Sequence, residues 1–554
     1  MSVDQADKLK AKMRERGVEP PAPPALPPAE GSEGANEVPE LPAVEITPVI
    51  APIAAQIGGI LCTNGVFTRQ RAVMTIDRAG RLVEMSAKRF RTYVEDHLIT
   101  YRARYDQAGT MQRRAETIGV DMAATILESD QFLRKQRELS RTATVRQPVK
   151  RKDGRIELLP EGYDAESGTY TVPGGVEFAL DMPLDAARSV LRDVLAELPL
   201  NDRKPDGTSR NEAAIIALML SVFAAPLIGL TTRRLNAMLS SNSVGSGKTL
   251  IGQMIVIPTY GSCDLQPVPE TEENWRKILD TETLAGSPVI FFDDIEGFFK
   301  SQILNAYLTA PTWSGRRMHS QSKFTVPKLA TVILTGNNLE VSQDVSRRFL
   351  HVKMLVDEAN PQERTIKREI DDAWLASPEK RALLLAAMWA IVREWDAAGR
   401  PRGKRVVRGY EEWCRTYAAM SEWAGFGDAL EPLPVEDSGN TELADMLALI
   451  ERLLAQAQVQ DDLDRPAGIT PAAGGWEVTF QHIVDSAVAV NSFTWALRGR
   501  EKDDHFILDA SGNSRFGKIL SGFGGKKFRL DGGRVVEWDT PGKKRGKHYL
   551  LKLL

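Results

Sequence analysis

The sequence predicts an α/β fold: an open, mostly parallel sheet flanked by helices, with smaller modules on either side. Three observations predict it. An apolar run, Leu235–Leu239, leads through the small-residue loop of SVGSGKTL into a second apolar run, LIGQMIVI. Another apolar strand, Val289–Phe292, ends in Asp293–Asp294. A third, Ala330–Leu334, ends in Thr335–Gly336–Asn337–Asn338. Strands that alternate with helices in this way assemble into parallel βαβ units.

The bulk numbers set the frame. At 554 residues the chain exceeds a single core, so several domains are expected. Hydrophobic residues make up 42% and charged residues 26%, an ordinary globular balance. The net charge of -3 favours no polyanionic partner globally, so any nucleic-acid contact must come from local basic patches. Cys62, Cys263 and Cys414 show no metal-ligand spacing and read as reduced thiols. MSVDQADKLKAKMRERG lacks the apolar stretch of a signal peptide. Ala213–Leu230 approaches the length of a membrane span, but Pro226 and Gly229 interrupt it, so a core helix is expected. The reading is a cytoplasmic protein with no membrane segment.

Along the chain, residues 1–52 form a charged, Pro-rich tail that cannot bury enough apolar surface to order itself. Residues 53–195 predict an α+β module. It has short strands around Arg78–Gly80, mostly helix over 86–136, and a hairpin turning at the Lys-Asp-Gly of TVRQPVKRKDGRIELL. Residues 196–358 hold the parallel sheet. Residues 359–460 are helix-rich, with apolar residues at helical spacing. DDLDRPAGITPAAGG at 461–475 reads as a linker, and 476–554 as a compact C-terminal piece.

The strand–loop–helix at 242–250 has the form of a phosphate loop. Asn242, Ser243, Val244, Gly245, Ser246, Gly247, Lys248, Thr249 and Leu250 supply it. Small residues let backbone N–H groups converge on phosphate, and the helix start adds its positive end. Lys248 suits the β- and γ-phosphates of ATP, and Thr249 suits Mg²⁺. The usual first glycine is replaced by Asn242, a residue that tolerates left-handed backbone angles. Asp293 follows Lys248 by 45 residues, a spacing that fits a parallel neighbour reached through a helical crossover. It is the candidate for holding Mg²⁺ with Thr249. Asp294 or Glu296 is the candidate for polarising water, and Asn337 or Asn338 for orienting it. Arg347 and Arg348, ahead of a further strand, are candidates for reaching a neighbouring subunit's γ-phosphate. Taken singly, each of these segments also reads as an ordinary turn, strand end or solvated pair; their order is what carries the reading.

Those motifs, in that order, resemble AAA+ ATPases. WRKILDTETLAGSPVIFFDDIEG, LTAPTWSGRRMHSQSK and PKLATVILTGNNLEVSQDVSRRFLHVKM are similar to the superfamily 3-like, primase-associated helicases of phages, prophages, satellites and plasmids. The resemblance spans roughly residues 200–430. It implies a P-loop AAA+ core, a homo-oligomeric ring, a hexamer, with shared ATP sites, and DNA in a central channel. It also implies a DNA-touching hairpin, here with Arg316, Arg317, His319 and Lys323 near its tip. No acidic metal cluster of a primase is visible, so a separate primase or polymerase is the implied partner.

The C-terminal piece reads as helix, helix, then two strands around a basic turn, which resembles a winged helix. From Ser514 to Leu554 eleven Lys/Arg face three Asp/Glu, an electrostatic footprint for DNA phosphates. Arg515 and Lys518 would lie on the second helix, and Lys543, Lys544, Arg545 and Lys547 on the wing. The function expected is an ATP-dependent DNA helicase or translocase in replication of a mobile element. The competing readings are an AAA+ ATPase that remodels protein partners and an ATP-switched origin-binding protein.

Overall fold

The computed structural model describes residues 41–554, apart from 78–79, 108–109, 201, 244, 296–297, 317–322, 338, 342, 357–368, 434–440, 460–463, 503–504, 531–532 and 541–547. The expected tail up to residue 40 lies outside the described residues. So do Val244, Glu296, Arg317, His319, Asn338, Lys543, Lys544, Arg545 and Lys547.

A mixed α/β architecture centres on a five-stranded parallel sheet. Its strands are β1 (Asn236–Ser241), β2 (Leu265–Gln266), β3 (Val289–Ile295), β6 (Thr331–Asn337) and β7 (Phe349–Met354), in the order β2-β3-β6-β1-β7. An antiparallel pair, β4 (Thr312–Arg316) and β5 (Lys323–Pro327), precedes β6. Alternation along each strand supplies two cores. Ala237, Leu239, Phe291, Ile333 and Val352 join one apolar cluster. Met238, Ile290, Phe292, Val332 and Leu334 join another on the opposite face.

The first cluster is closed by helix α1 (Arg210–Phe223), buried along its whole length. Ser209 caps it by accepting from the Glu212 N–H at 3.0 Å, and it ends before Pro226. This is the core helix expected from 213–230. Among the described residues no helix is long and apolar enough to cross a membrane. Helix α2 (Lys248–Tyr260) follows β1 and lies so close to the sheet that a Cβ at Gly252 would sit 2.3 Å from the Phe291 ring. Helices α3 (Glu272–Ala285) and α4 (Gln302–Thr309) pack on the second cluster through Trp275, Leu279, Leu304 and Tyr307.

Four features depart from the sequence reading. First, the tail does not run to 52. Ala43–Glu45 pairs in parallel with Ile99–Tyr105, and a helix begins at Ile50, because Val44, Ile46 and Ile53 find an apolar cluster to enter. Second, the stretch expected as mostly helix over 86–136 contains an antiparallel ribbon, Ile99–Tyr105 against Met111–Ala115. Its β-branched and aromatic residues alternate with arginine, a strand pattern masked by charge. Third, the helices after the core divide. Helix α5 (Pro378–Ala397) joins the first cluster, whereas α6 (Thr441–Ala457) packs its Met446, Leu449, Ile450 and Leu453 into the C-terminal core. Fourth, Ile469–Ala472 inside the expected linker is a strand paired with Gly475–Thr479. Those two join Lys526–Arg529, Val535–Asp539 and His548–Leu553 in one antiparallel sheet of five, where two wing strands were expected.

Candidate nucleotide site

Three neighbouring strands of the sheet end at the same edge, and each delivers a side chain to it. β1 runs into the loop and α2. That helix starts from Gly247 at φ +96°, a left-handed backbone that glycine adopts without Cβ strain. Lys248, at the helix's first turn, is buried. Its Nζ donates to Asn337 Oδ1 at 2.5 Å, to Ser243 O at 3.3 Å and to Ser246 Oγ at 3.4 Å. Burial pulls the Lys248 ammonium below its ordinary pKa, opposed by the charges of Asp294 and Asp293.

Beside it, Thr249 Oγ1 donates to Asp293, 3.0 Å from Oδ1 and 3.2 Å from Oδ2. A hydroxyl and a carboxylate at this separation are hard oxygen donors, the type that suits a small divalent cation. Lys248, Thr249, Asp293 and Asn337 therefore converge. The 45-residue spacing suggests that Asp293 ends a strand directly beside β1. β3 is not the neighbour of β1, because β6 lies between them. The insertion places Asn337 between the lysine and the acidic strand end.

The ends of β3 and β6 are fastened by Thr335, which the sequence reading passed over. Its hydroxyl donates to Asp293 Oδ1 and accepts from the Asp294 N–H at 2.9 Å. A Thr in the polar ending of an apolar strand was the available signal. Between Phe292 and Ile295 the ladder slips by one residue, a β-bulge, and Asp294 sits at φ +61° with its side chain exposed. The bulge interrupts the strand's period-two alternation at Asp294. Asp294 is the described carboxylate at this edge that faces open space.

Asn242 is not in the left-handed region. Its amide makes a two-way clamp on the chain after β7: Nδ2 donates to Val356 O and Oδ1 accepts from the Val356 N–H, both at 2.9 Å. That clamp is the physical reason an asparagine serves where a glycine is usual. Ser243 is tied by its N–H to Ser241 Oγ at 3.1 Å, and Gly245 holds φ +75°. Leu250 is half-buried on α2.

The two arginines part company. Arg347 is exposed. Arg348 is 6% exposed, and its guanidinium donates to Asn305 on α4 of the same chain. Arg316 and Lys323 lie directly opposite one another on β4 and β5, both exposed. The pair is anchored on α3, where Trp313 Nε1 donates to Asp280 Oδ1 at 2.6 Å and the Arg276 guanidinium lies 4.4 Å from the Trp313 ring. In the C-terminal piece, Arg515 and Lys518 are exposed one turn apart on the helix Ala510–Gly522.

No family model matches the chain, and no curated protein matches it. Among solved structures it is similar to the apo A form of the NrS-1 C-terminal region, with TM-score 0.40 and 10% identity over 90% of this chain and 99% of that one. A second A-form apo structure of that region, residues 305–718, gives TM-score 0.37 and 11% identity over 82% of this chain and 100% of that one. Both likenesses are too distant to fix a fold.

Proposed function

We propose that the chain is an ATP-driven DNA motor of the AAA+, superfamily 3-like type, acting in replication of a phage, satellite or plasmid. The observation that carries the reading is the convergence of Lys248, Thr249, Asp293 and Asn337 at one sheet edge, with Thr249 and Asp293 3.0 Å apart.

The residues present fit Mg²⁺–ATP. The loop 242–250 would take the phosphates on its N–H groups, Lys248 the β- and γ-phosphates, and Thr249 with Asp293 the metal. Bound Mg²⁺ would neutralise phosphate charge. Asp294, on the strained bulge, is the base or water-orienting group, and Asn337 places its amide beside the γ-position. Arg347, which is exposed, is the residue that reaches a neighbouring subunit's site in a ring. The facing cations of β4 and β5 and the exposed pair on Ala510–Gly522 contact DNA phosphates, which position the strand without specifying sequence. The C-terminal piece acts as a winged helix in this reading.

The test is strand displacement on a forked DNA with and without ATP, using wild type and Lys248→Ala. The variant is expected to lose ATP hydrolysis and unwinding while remaining folded. Hydrolysis at the wild-type rate in Lys248→Ala would remove the site. ATPase activity indifferent to DNA would leave an ATPase that is not a DNA motor.

A further inference from the structure

At the far end of the sheet from the nucleotide edge, three cations are buried together. Arg141 is 8% exposed, Arg234 2% and Lys328 1%. Arg141 and Arg234 both line a small cavity of about 20 Å³, with Gln147, Ser221, Tyr260 and Thr331. Among the described residues the Arg141 guanidinium makes no hydrogen bond, and that of Arg234 makes one, from Nη1 to Thr232 O at 3.2 Å. Lys328 Nζ finds no acceptor and rests 5.2 Å from the Tyr307 ring centre. No carboxylate lines the cavity.

Such an arrangement favours an acceptor in the cavity. Guanidinium stays charged in proteins, and a buried charge needs a partner. The two arginines also repel each other: burial first, then the Arg234 charge, pulls Arg141 down to about 10. Lys328, desolvated and beside Arg234 and Arg233, is pulled down to about 7, so it can shed its charge where the arginines cannot. A third donor faces the space. Tyr260 OH accepts from Gln147 Nε2 at 3.3 Å, which leaves its own proton to give, and burial keeps that phenol protonated by raising its pKa.

We propose that this cavity is an anion site holding one chloride between Arg141 and Arg234, with the Tyr260 hydroxyl as a further donor. Size selects the ligand. About 20 Å³ admits a single water-sized particle, for which about 10–15 Å³ is the minimum. A monatomic anion fits that space with the least rearrangement of its walls. Access is provided by Thr142, Tyr260, Gly286 and Pro288, which also line an adjoining cleft of about 500 Å³. The site ties the segment at 141–147 to α1, α2 and the start of β6, so it bolts the N-terminal module to the sheet. It stands independently of the ATPase reading.

The experiment compares thermal unfolding of the full chain in sodium chloride and in sodium gluconate, whose anion is too large for the cavity, at equal ionic strength. Wild type is expected to melt higher in chloride, by about 1–3 °C for each tenfold rise in concentration above the dissociation constant. Arg141→Met, which keeps length and removes the charge, is expected to lose that dependence. It should melt below wild type in chloride and above it in gluconate. Crystals soaked in bromide should show an anomalous peak between the two guanidiniums. Equal melting of wild type in both salts with no bromide peak would mean that water fills the cavity, and would overturn the proposal. If Arg141→Met does not fold, the wild-type salt comparison and the bromide peak decide alone.

Discussion

Arg347 and Arg348 stand next to each other, yet they sit in different environments. Arg348 is buried and donates to the half-buried Asn305 of its own chain, so removing it takes a charged donor from that amide and leaves a cavity. Arg348→Ala is expected to lower stability by about 2–4 kcal/mol in urea unfolding. Arg347 is exposed, and Arg347→Ala should leave stability within about 0.5 kcal/mol. If it is a trans-acting finger, its loss should lower ATP turnover by about three decades with nucleotide binding retained. Mixing Arg347→Ala with Lys248→Ala subunits should then recover part of the activity, because each supplies what the other lacks. No recovery in assembled mixtures would end the shared-site reading.

The same scale yields a pH dependence. His351 on β7 is buried, with Nε2 3.0 Å from Ser346 O. Burial pulls it from 6.5 to about 4. A folded pKa below the unfolded one means that the unfolded chain binds the proton first. The contribution is therefore intact above pH 6.5 and is lost as pH falls toward 4, at up to about 1.4 kcal/mol per unit. Urea midpoints for wild type and His351→Met across pH 7 to 4 check it: the variant should show the shallower fall. Parallel curves would assign the acid sensitivity elsewhere.

At the scale of elements, the sequence was most legible where chemistry and periodicity coincide. The apolar strands with polar ends, the small-residue loop and the helix after it, and the antiparallel pair ahead of β6 all stand where local pattern put them. Strand order was not legible, because β6 enters between β1 and β3 through contacts that no local window contains. Nor was the bulge at Asp293–Asp294, which depends on Thr335 reaching across from β6. Asn242 shows the same limit. Read locally it replaces a turn glycine; in the fold its amide grips Val356. Restoring the commoner residue is thus expected to harm. Asn242→Gly should cost about 1–2 kcal/mol in chemical unfolding through two lost hydrogen bonds. A stabilised variant would show that the clamp is idle.

The whole molecule carries a net charge of -3, so any attraction for DNA must be local. The exposed Arg515 and Lys518 belong to a unit with its own apolar core, built from α6, the antiparallel sheet and the helix Ala510–Gly522. That core is separate from the two that sandwich the parallel sheet, so charge changes on its surface should not reach the nucleotide edge. Each phosphate neutralised contributes about 0.9 to the slope of log affinity against log salt on duplex DNA. The double variant Arg515→Glu/Lys518→Glu is therefore expected to reduce that slope by about two, as read by fluorescence anisotropy across a salt series. Its ATPase rate without DNA should match wild type. If the slope is unchanged, the C-terminal unit does not contact DNA through this helix, and the proposed DNA contact would have to come from the cations of β4 and β5.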